Sequence, residues 1–520
     1  MKKLFLIFSF SHFLIFHAFA QKADMDQAMR KLNMATILTN IYYVDSVSID
    51  RQVEDAINGL LSKLDPHSQY SNAKDTKRMT ESLEGSFEGI GVQFNILEDT
   101  LIVIQPVSKG PSERVGILAG DRIVSVNDTA IAGVKMSREE IMSRLRGPKD
   151  TKVKLGIVRR GVSGISYFTV RRDKIPVNTL DAAYMVTPDI GLIRFSSFGQ
   201  TTLDEVTTAL DKLKQQGMTK LIIDMQQNSG GLLNMAAEIA SLFLSKGDTI
   251  VYTRGRNVPS QVFVSTGKKG WQEGKVAVLI DEYSASAAEI LTGAIQDHDR
   301  GVVIGRRSFG KGLVQRPIDL PDGSMIRLTV ARYYTPSGRC IQKPYTKGDQ
   351  KSYSMDLINR YNQGELTHAD SIHFPDSLRY RTRLGRTVYG GGGIMPDYFI
   401  PLDTTKYTRF YRELSAKSLI VNASLRNLDK NRKRLSKSWT DFDRFKSEYQ
   451  VPDDIIERIL KEGEKQDIKP KDDEEREKTI PQLRRILKAL TARDLWDMSE
   501  YFAIIYEDDP MVMKAVELLK

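Results

Sequence analysis

The sequence predicts a multidomain α+β protein with an N-terminal helical region, a β-rich module, an α/β core and a C-terminal helical extension. Three observations support this prediction: helical periodicity at both ends of the chain, short β-rich runs separated by glycine turns, and apolar strands that alternate with helices. The chain has 520 residues, of which 41% are hydrophobic and 27% charged, as in soluble globular proteins. This length suggests about three or four structural units, and the composition excludes a wholly disordered or fibrous chain.

The first 20 residues have the three-part layout of a secretory signal peptide. Met1-Lys2-Lys3 precedes an apolar run from Leu4 to Phe19, and Ala18-Phe19-Ala20 is a small-x-small cleavage signal. The alternative is a short membrane anchor, but the run falls short of the ~20 apolar residues that a spanning helix needs. We therefore expect an exported protein, periplasmic or elsewhere in the cell envelope, without a transmembrane segment.

Residues 21–84 and 85–174 follow the predicted signal peptide. The first segment has a helical pattern, with Val53, Ile57 and Leu64 on one face. The second contains short β-rich runs between glycine turns, and one amphipathic helix from Ser137 to Arg146. These patterns predict a small helical region followed by a β-rich module.

Residues 175–404 predict an α/β core. The strand candidates are Ile190–Phe195, Lys220–Met225, Val276–Ile280 and Gly301–Gly305, and the helix candidates between them are Leu203–Gln216, Met235–Leu244 and Ala287–Gln296. Alternation of this kind is typical of α/β folds. Residues 343–386 are polar without clear periodicity, which predicts an insertion, and residues 405–520 are charged and helical.

Charge and cysteine content exclude several classes of site. The formal net charge of +10 is modest for this length, and no basic stripe is interleaved with aromatic residues, so we expect no nucleic acid partner. The single cysteine, Cys340, excludes an intramolecular disulfide framework and any multi-cysteine zinc or iron–sulfur site. We expect neither a metal nor a cofactor.

One serine lies between a strand candidate and the helix candidate that follows it. Ser286 would stand at the N-terminus of that helix, where free N–H groups and the helix dipole favour developing negative charge. This position suits a nucleophile with an oxyanion site beside it. On this segment alone, a plain helix N-cap is the more common explanation.

Two glycine-rich segments carry further candidates. Gly230 and Gly231 follow the strand candidate Lys220–Met225, and paired glycines let the backbone approach a ligand, although a tight turn explains them equally well. Lys311 lies between Gly310 and Gly312. Partial burial would lower the pKa of its amine and allow it to act as a base near pH 7. A solvated surface charge is the more common role for a lysine.

Histidine is the competing base. His298 is the histidine nearest to Ser286 in sequence. A helix that begins after Ser286 would end near His298, about 18 Å away at about 1.5 Å per residue. This distance argues against a Ser–His pair, and no two histidines have the spacing of a zinc protease motif.

Seven segments, taken together, resemble the carboxy-terminal processing peptidases, secreted and periplasmic serine proteases with a PDZ domain and a Ser–Lys dyad. They follow the family's order: Leu64–Tyr70, Gly89–Val92, Pro111–Asp121, Ser284–Glu289, Phe309–Gln315, Tyr334–Gly338 and Gly393–Asp397. The resemblance implies a PDZ domain in residues 85–174 and a serine protease core of the crotonase and ClpP type. It also implies that Ser286 is the nucleophile, that Lys311 is the general base and that Gln315 orients the amine.

The same resemblance implies an oxyanion hole formed by the N–H group of Ala287 and one from Gly230 or Gly231. The family usually has Asp-Leu-Arg-x-Asn-Pro-Gly-Gly before this point. This chain has Gln226 in place of the arginine and Ser229 in place of the proline. We expect these two changes to loosen the turn or alter its anchoring, while both glycines remain.

The PDZ domain of the family implies recognition of protein C-termini by strand addition. Gly89-Ile90-Gly91-Val92 would hold the terminal carboxylate, and Ile141 and Leu145 would line the side-chain pocket. Predicted partners are protein and peptide substrates, with an adaptor protein or a second copy of the chain at the C-terminal helices.

The predicted function is that of an exported serine endopeptidase that cleaves through an acyl-enzyme, with activity that rises from neutral to mildly alkaline pH. One alternative is a catalytically inactive PDZ adaptor or chaperone, which the changes at Gln226 and Ser229 leave open. Another is acyl-CoA chemistry on the crotonase-like core, which the predicted export and the PDZ domain disfavour.

Overall fold

Residues 24–520 are described by the computed structural model of the chain, and the predicted signal peptide lies outside them. The chain forms two compact units. The first comprises the described residues up to Thr76 with 315–329 and 345–355, and the second comprises 77–314, 330–344 and 356–520. Within residues 24–520, no helix combines the length and the apolar character that a membrane crossing requires.

The N-terminal region is helical, as predicted. Its elements are α1 (24–42), α2 (Ile49–Leu61), the short strand β1 (Gln69–Ser71) and α3 (Ala73–Glu84). Ser48 caps α2 by accepting a hydrogen bond from the Arg51 N–H group. Several apolar side chains of α1 are exposed, among them Met29, Ile37 and Ile41.

The β-rich module follows α3. Its elements are β2 (Ser86–Gly89), β3 (Val92–Leu97), β4 (Thr100–Pro106), α4 (Pro111–Arg114), β5 (Arg122–Val126), β6 (Thr129–Ala130), α5 (Arg138–Leu145), β7 (Lys152–Val158), β8 (Ser166–Arg171) and β9 (Asp173–Pro176). An antiparallel sheet has the order β3-β4-β5-β7-β8, with β6 beside β5, and β2 pairs with β9. Strand β3 therefore lies at an edge of the sheet. Alternate apolar side chains of the strands pack on α5 in the core of this module.

The α/β core contains the predicted strands and helices. Its elements are β10 (Leu180–Met185), β11 (Ile190–Phe195), α6 (Thr202–Gln215), β12 (Lys220–Asp224), α7 (Leu233–Ala240), β13 (Thr249–Arg254), β14 (Gln261–Val264), β15 (Lys275–Ile280), α8 (Ala287–Asp297), β16 (Val302–Gly305), β17 (Leu313–Asp319) and β18 (Met325–Tyr334). The runs predicted as buried strands became β11, β12, β15 and β16, which are parallel neighbours in one sheet. Near-continuous apolar runs are typical of such doubly covered strands.

The predicted insertion has more regular structure than its lack of periodicity indicated. The chain continues with α9 (Gln350–Asn362), 3₁₀ turns at Ala369–Ser371 and Asp376–Leu378, and strands β19 (Arg379–Arg381), β20 (Thr387–Tyr389) and β21 (Tyr398–Phe399). Strand β21 completes the sheet β10-β11-β12-β15-β16-β21, in which only the β10–β11 pair is antiparallel.

Seven helices form the C-terminal extension within the described residues. They are α10 (Arg409–Ala416), α11 (Leu419–Ser438), α12 (Phe442–Glu448), α13 (Asp453–Glu464), α14 (Asp473–Leu495), α15 (Met498–Ile505) and α16 (Pro510–Leu519). Most of them share a hydrophobic core of their own, while α16 packs on the face of the α/β sheet. The whole arrangement confirms the predicted multidomain α+β class.

Candidate active site

Ser286 lies where the sequence predicts it, between the end of β15 and the start of α8. Its backbone has φ of 57° and ψ of −114°, a conformation that residues with a side chain rarely adopt. Such conformations persist where surrounding contacts fix them and are concentrated at functional sites. The serine is half-buried, whereas every residue of α8 behind it is buried. The side chain is therefore presented at the surface of a rigid core element.

The turn before Ser286 is tied to the turn that follows β12. Asp281 Oδ1 accepts hydrogen bonds from the N–H groups of Ser284 (3.0 Å) and Gln227 (3.0 Å). Ser284 Oγ donates to the carbonyl of Met225 at 2.7 Å, and the Ala285 N–H group donates to the carbonyl of Asn228 at 2.9 Å. These bonds hold the glycine pair predicted for the oxyanion hole against the serine turn.

Gly230 approaches Ser286 so closely that no side chain fits. A Cβ added to Gly230 would stand 2.7 Å from the Ser286 Cβ and 2.9 Å from the Ala287 nitrogen. One added to Gly231 would stand 2.3 Å from the carbonyl oxygen of Phe198. Both glycines also have positive φ, 100° and 148°. The predicted oxyanion residues are thus gathered beside Ser286.

The two glycines differ in what their N–H groups do. The Gly230 N–H group donates to Asn228 Oδ1 at 2.9 Å, and Asn228 Nδ2 donates to the Phe195 carbonyl at 2.8 Å. Asn228 is fully buried. Because the Gly230 N–H group is already engaged, Gly231, which is exposed, is the better candidate for an oxyanion donor.

Lys311 lies on the loop between β16 and β17 and is half-buried. This loop is held to the serine turn: the Phe309 N–H group donates to the carbonyl of Ser284 at 3.0 Å, and Arg306 forms a buried ion pair of 2.6 Å with Glu282. The two predicted catalytic residues, Ser286 and Lys311, therefore lie on segments that are bonded to each other.

Glu289 joins these two segments directly. It lies in the first turn of α8 and is 1% exposed. Its Oε2 accepts hydrogen bonds from the N–H groups of Ser286 (2.7 Å) and Lys311 (2.9 Å). Its Oε1 accepts from the Gly310 N–H group (2.7 Å) and from Ser308 Oγ (2.5 Å). One carboxylate thus fixes the backbone of both candidate catalytic residues.

Tyr333, on β18, makes a second connection between them. Its hydroxyl lies 3.1 Å from the carbonyl oxygen of Ser286 and also hydrogen-bonds the carbonyl of Lys311. Its backbone N–H group donates to the carbonyl of Gly312 at 3.0 Å. The ring is 1% exposed, so the core around α8 holds this bridge in place.

Residues of the predicted insertion hold the lysine loop from the other side. The buried Arg360 guanidinium donates to the carbonyls of Arg307 (2.7 Å) and Ser308 (3.2 Å). Lys343 pairs with Asp356 at 2.8 Å. Burial lowers the pKa of the Lys343 amine, although Asp356 opposes this effect. The insertion is therefore part of the framework of the loop.

Gln315 and His298 have partners that the sequence did not identify. Gln315 lies on β17, and its amide donates a hydrogen bond to the carbonyl of His67. Its predicted contact with the Lys311 amine stays a prediction. His298 is the C-cap of α8, at the opposite end from Ser286, as predicted, and its ring nitrogen lies 2.7 Å from the Thr249 carbonyl oxygen. A pairing of Ser286 with His298 is excluded by this placement.

The residues predicted to bind peptide lie in the β-rich module. Gly89-Ile90-Gly91-Val92 connects β2 to the edge strand β3, and the Ile90 carbonyl is held by Ser112 Oγ at 2.6 Å. Ile141 and Leu145 of α5 are 2% and 4% exposed and belong to the core of the module. Their role in a peptide pocket stays a prediction.

Sequence reasoning assigned no role to Glu289, Tyr333 or Asn228. A glutamate three residues after a serine at a helix start is a recognised capping pattern, so Glu289 had a local signal. Asn228 accepts from Gly230, two residues further on, which is the local pattern of an asparagine turn, whereas Tyr333 acts across the fold and had no local signal. Among the described residues, no group of three or more His, Cys, Asp or Glu side chains is placed to hold a metal ion.

Three family models match parts of this chain. The model described as peptidase family S41 matches residues 189–352, and a PDZ domain model matches residues 89–163. A third, described as a family of unknown function (DUF8443), matches residues 410–497. The first match contains both Ser286 and Lys311.

Sequence relatives match over more than half of the chain. The carboxy-terminal processing protease CtpA of Bacillus subtilis is 34% identical over 353 residues, which cover 65% of this chain and 74% of the relative. The carboxy-terminal-processing protease of Bartonella bacilliformis is 38% identical over 306 residues, which cover 58% and 69%. Among solved structures, the photosystem II D1 C-terminal processing protease is 28% identical and covers 59% of this chain and 89% of its own, with a TM-score of 0.34.

Proposed function

Because this chain belongs to peptidase family S41, the carboxy-terminal processing serine proteases with a PDZ domain, we propose that Ser286 and Lys311 are its catalytic dyad. The observation that carries this proposal is the shared Glu289 carboxylate, which accepts hydrogen bonds from the N–H groups of both residues. The Tyr333 hydroxyl, within bonding distance of both carbonyls, supports it. A framework of this kind keeps a nucleophile and its base at a fixed distance and orientation.

The reaction begins with the neutral amine of Lys311, which takes the hydroxyl proton of Ser286 while Oγ attacks the scissile carbonyl carbon. The N–H groups of Ala287 and Gly231 stabilise the oxyanion. When the tetrahedral intermediate collapses, the Lys311 ammonium returns the proton to the leaving amine. A water molecule, deprotonated by the same amine, then attacks the acyl carbon, and the Lys311 ammonium returns the proton to Ser286 Oγ as the ester bond breaks.

We further propose that the PDZ domain selects substrates by their C-termini. Strand β3 is at the edge of its sheet, so a peptide can extend the sheet by one strand. Helix α5 borders this edge, because the Arg138 guanidinium lies 4.8 Å from the ring centroid of Phe94 on β3. The terminal carboxylate would then meet the N–H groups of Gly89-Ile90-Gly91-Val92.

The proposed site of action is the cell envelope, because the first 20 residues have the pattern of a signal peptide. N-terminal sequencing of the protein isolated from its own cells is expected to begin at Gln21. A mature chain that begins at Met1 and stays with the cytosolic fraction would contradict export.

The dyad is tested by degradation of an unfolded protein with an apolar C-terminus. We expect Ser286→Ala and Lys311→Ala each to reduce kcat by at least about 10³-fold, as the loss of a nucleophile or its base does in serine proteases. Exposed control positions, Ser260→Ala and Lys269→Ala, are expected to keep wild-type rates.

Two results would contradict the proposal. Full activity of Lys311→Ala would show that another group is the base. No cleavage by the wild type, combined with binding of C-terminal peptides, would instead favour the PDZ adaptor or chaperone.

A further inference from the structure

The strand that leads to the oxyanion turn ends in a carboxylate with an unusual set of partners. Asp224, the last residue of β12, is completely buried. Its Oδ2 accepts hydrogen bonds from Arg194 Nη1 at 2.6 Å and from the Tyr506 hydroxyl at 2.7 Å. Arg194 lies on the neighbouring strand β11, whereas Tyr506 follows α15 in the C-terminal helical extension.

Gln226 does not anchor this turn through its side chain. Its Nε2 is buried and has no hydrogen-bond partner within residues 24–520. The backbone of Gln226 is held instead: its carbonyl accepts from Arg194 Nη2 at 2.9 Å, and its N–H group donates to Asp224 Oδ1 at 2.9 Å. A guanidinium from β11 therefore binds the turn at the position where the family's usual pattern has arginine.

This anchored segment leads directly to the candidate oxyanion residues. Two residues after Gln226, Asn228 holds the Gly230 N–H group, and Gly230 packs against Ser286. The chain from Asp224 to Gly231 is short, so a displacement at its start moves the glycine backbone at its end. Displacement of an oxyanion donor by a fraction of an ångström weakens its bond to a developing charge.

Tyr506 is suited to hold Arg194 and Asp224 in one arrangement. Its hydroxyl also lies 2.8 Å from Arg194 Nη1, so it closes a triangle with the ion pair. Burial, with the nearby Asp224 charge, raises the pKa of Tyr506 well above its ordinary value. The hydroxyl therefore stays protonated and can donate a hydrogen bond to Asp224. The ring of Phe502 covers the Arg194 guanidinium at 4.7 Å.

We propose that Arg194 and Tyr506 are positioning residues of the active site, and that the C-terminal helical extension thereby supplies part of the oxyanion framework. Arg194 replaces the arginine that position 226 lacks, and Tyr506 fixes its orientation. This inference rests on the proposed function, because its effect is exerted on the backbone beside Ser286. It also gives a role to the end of a region that otherwise has a separate hydrophobic core.

The first test removes one hydroxyl group. Tyr506→Phe keeps the ring and loses the bond to Asp224. Deleting an oxyanion donor outright costs about 10²–10³ in kcat, so an indirect displacement is expected to lower kcat by about tenfold. KM is expected to stay within about twofold, because the donor acts on the transition state rather than on substrate binding.

Tyr501→Phe is the matched control, because Tyr501 lies on α15 and its hydroxyl has no hydrogen bond to Asp224 or Arg194. It is expected to keep the wild-type kcat. Circular dichroism and melting temperature of all proteins are compared at the assay temperature. A fall in kcat of Tyr506→Phe that only follows a loss of folded protein, or an equal fall in Tyr501→Phe, would overturn the proposal.

A second test moves the guanidinium back to the family's usual position. Arg194→Met is expected to lower kcat at least about tenfold. The double variant Arg194→Met/Gln226→Arg is expected to have a kcat at least about threefold higher than that of Arg194→Met. No recovery in a folded double variant, or an unchanged kcat in Arg194→Met, would overturn the role of Arg194.

Wild type and Ser286→Ala are measured in the same experiment. If the wild type does not cleave, the proposed function itself fails. If the wild type cleaves, Ser286→Ala does not, and Tyr506→Phe equals the wild type, the dyad stands and only the positioning role falls.

Discussion

At the scale of single residues, two opposing effects act on the pKa of Glu289. Its carboxylate accepts four hydrogen bonds, from Ser308 and from the N–H groups of Lys311, Ser286 and Gly310, yet burial outweighs them and raises its pKa from 4.5 to about 7. Because the folded-state pKa exceeds the unfolded one, the native state keeps this proton over a pH range in which the unfolded chain has lost it.

The free energy of unfolding is therefore expected to fall as pH rises from about 4.5 to about 7, and the contribution of Glu289 is constant above that range. A shift of this size corresponds to about 3 kcal/mol at about 1.36 kcal/mol per pKa unit. Urea unfolding at pH 5, 6, 7 and 8 should show this loss in the wild type and not in Glu289→Gln. Glu273→Gln, an exposed control, should keep the wild-type slope. Parallel curves for wild type and Glu289→Gln would contradict the raised pKa.

Glu289→Gln also tests the role of the carboxylate in catalysis. Whichever oxygen becomes an NH₂ group then faces two donors, so we expect kcat to fall by at least about tenfold, because an unsatisfied buried donor costs about 1–3 kcal/mol. Initial rates at pH 8, where the wild-type carboxylate is ionised, provide the comparison. An unchanged kcat would mean that the segments of Ser286 and Lys311 keep their relative position without this carboxylate.

At the scale of elements, the insertion has become part of the active-site framework. Arg360 reaches the loop through two carbonyls, and its ion pair with Glu365 is extended by Arg307, which pairs with the same carboxylate. Burial, with the neighbouring Arg307 charge, lowers the pKa of Arg360 to about 10, so its guanidinium is still charged at neutral pH. The loop before Lys311 therefore depends on an element with no clear sequence periodicity.

Arg360→Met is expected to lower kcat by about tenfold and to destabilise the protein by about 3 kcal/mol, since each charge-assisted hydrogen bond contributes about 1.5–3 kcal/mol. Arg379→Met, in the same insertion but on an exposed pair with Asp376, should change neither value. Thermal unfolding and initial rates measure both effects. If Arg360→Met were as active and as stable as Arg379→Met, the insertion would not hold the lysine loop.

At the scale of the whole molecule, two modules contact each other through charged side chains. Arg122 of the PDZ domain pairs with Asp429 of α11 at 2.8 Å, and Glu98 pairs with Arg426 at 2.7 Å. The C-terminal extension thus contacts the PDZ domain at one place and Asp224 at another. Peptide binding at the PDZ domain is therefore well placed to affect cleavage in the core.

We expect an apolar C-terminal peptide to activate cleavage by binding to the PDZ domain, and we expect Gly89→Asp to abolish this activation, because its carboxylate would repel the terminal carboxylate. Gly89 suits this test better than Gly91. The φ of Gly91 is 70°, and a Cβ added there would lie 2.8 Å from the Ile175 side chain, so any larger residue would be strained. Ser163→Asp adds the same charge at an exposed loop position of the same domain and should keep activation. Rates of cleavage are measured with and without an apolar C-terminal peptide. Activation that survives in Gly89→Asp would refute control by the PDZ domain.

Local patterns in the sequence determined the fold class, the core strands β11, β12, β15 and β16, and the position of Ser286 at the start of a helix. Hydrophobic periodicity and helix-start residues involve only a few neighbouring positions, so a single sequence is enough to detect them. The position of His298 at the far end of α8 followed from the helical rise alone.

Only the tertiary structure decided how the candidate site is held together. In the folded protein the Gly230 N–H group is bonded to Asn228, which leaves Gly231 as the better candidate for the oxyanion donor. Glu289 and Tyr333 connect Ser286 to Lys311. Tyr506 lies 282 residues from Asp224 in sequence. The contacts of Glu289 with Lys311, of Tyr333 with Ser286 and of Tyr506 with Asp224 depend on which side chains meet when distant elements pack, and no spacing or periodicity along the chain records them.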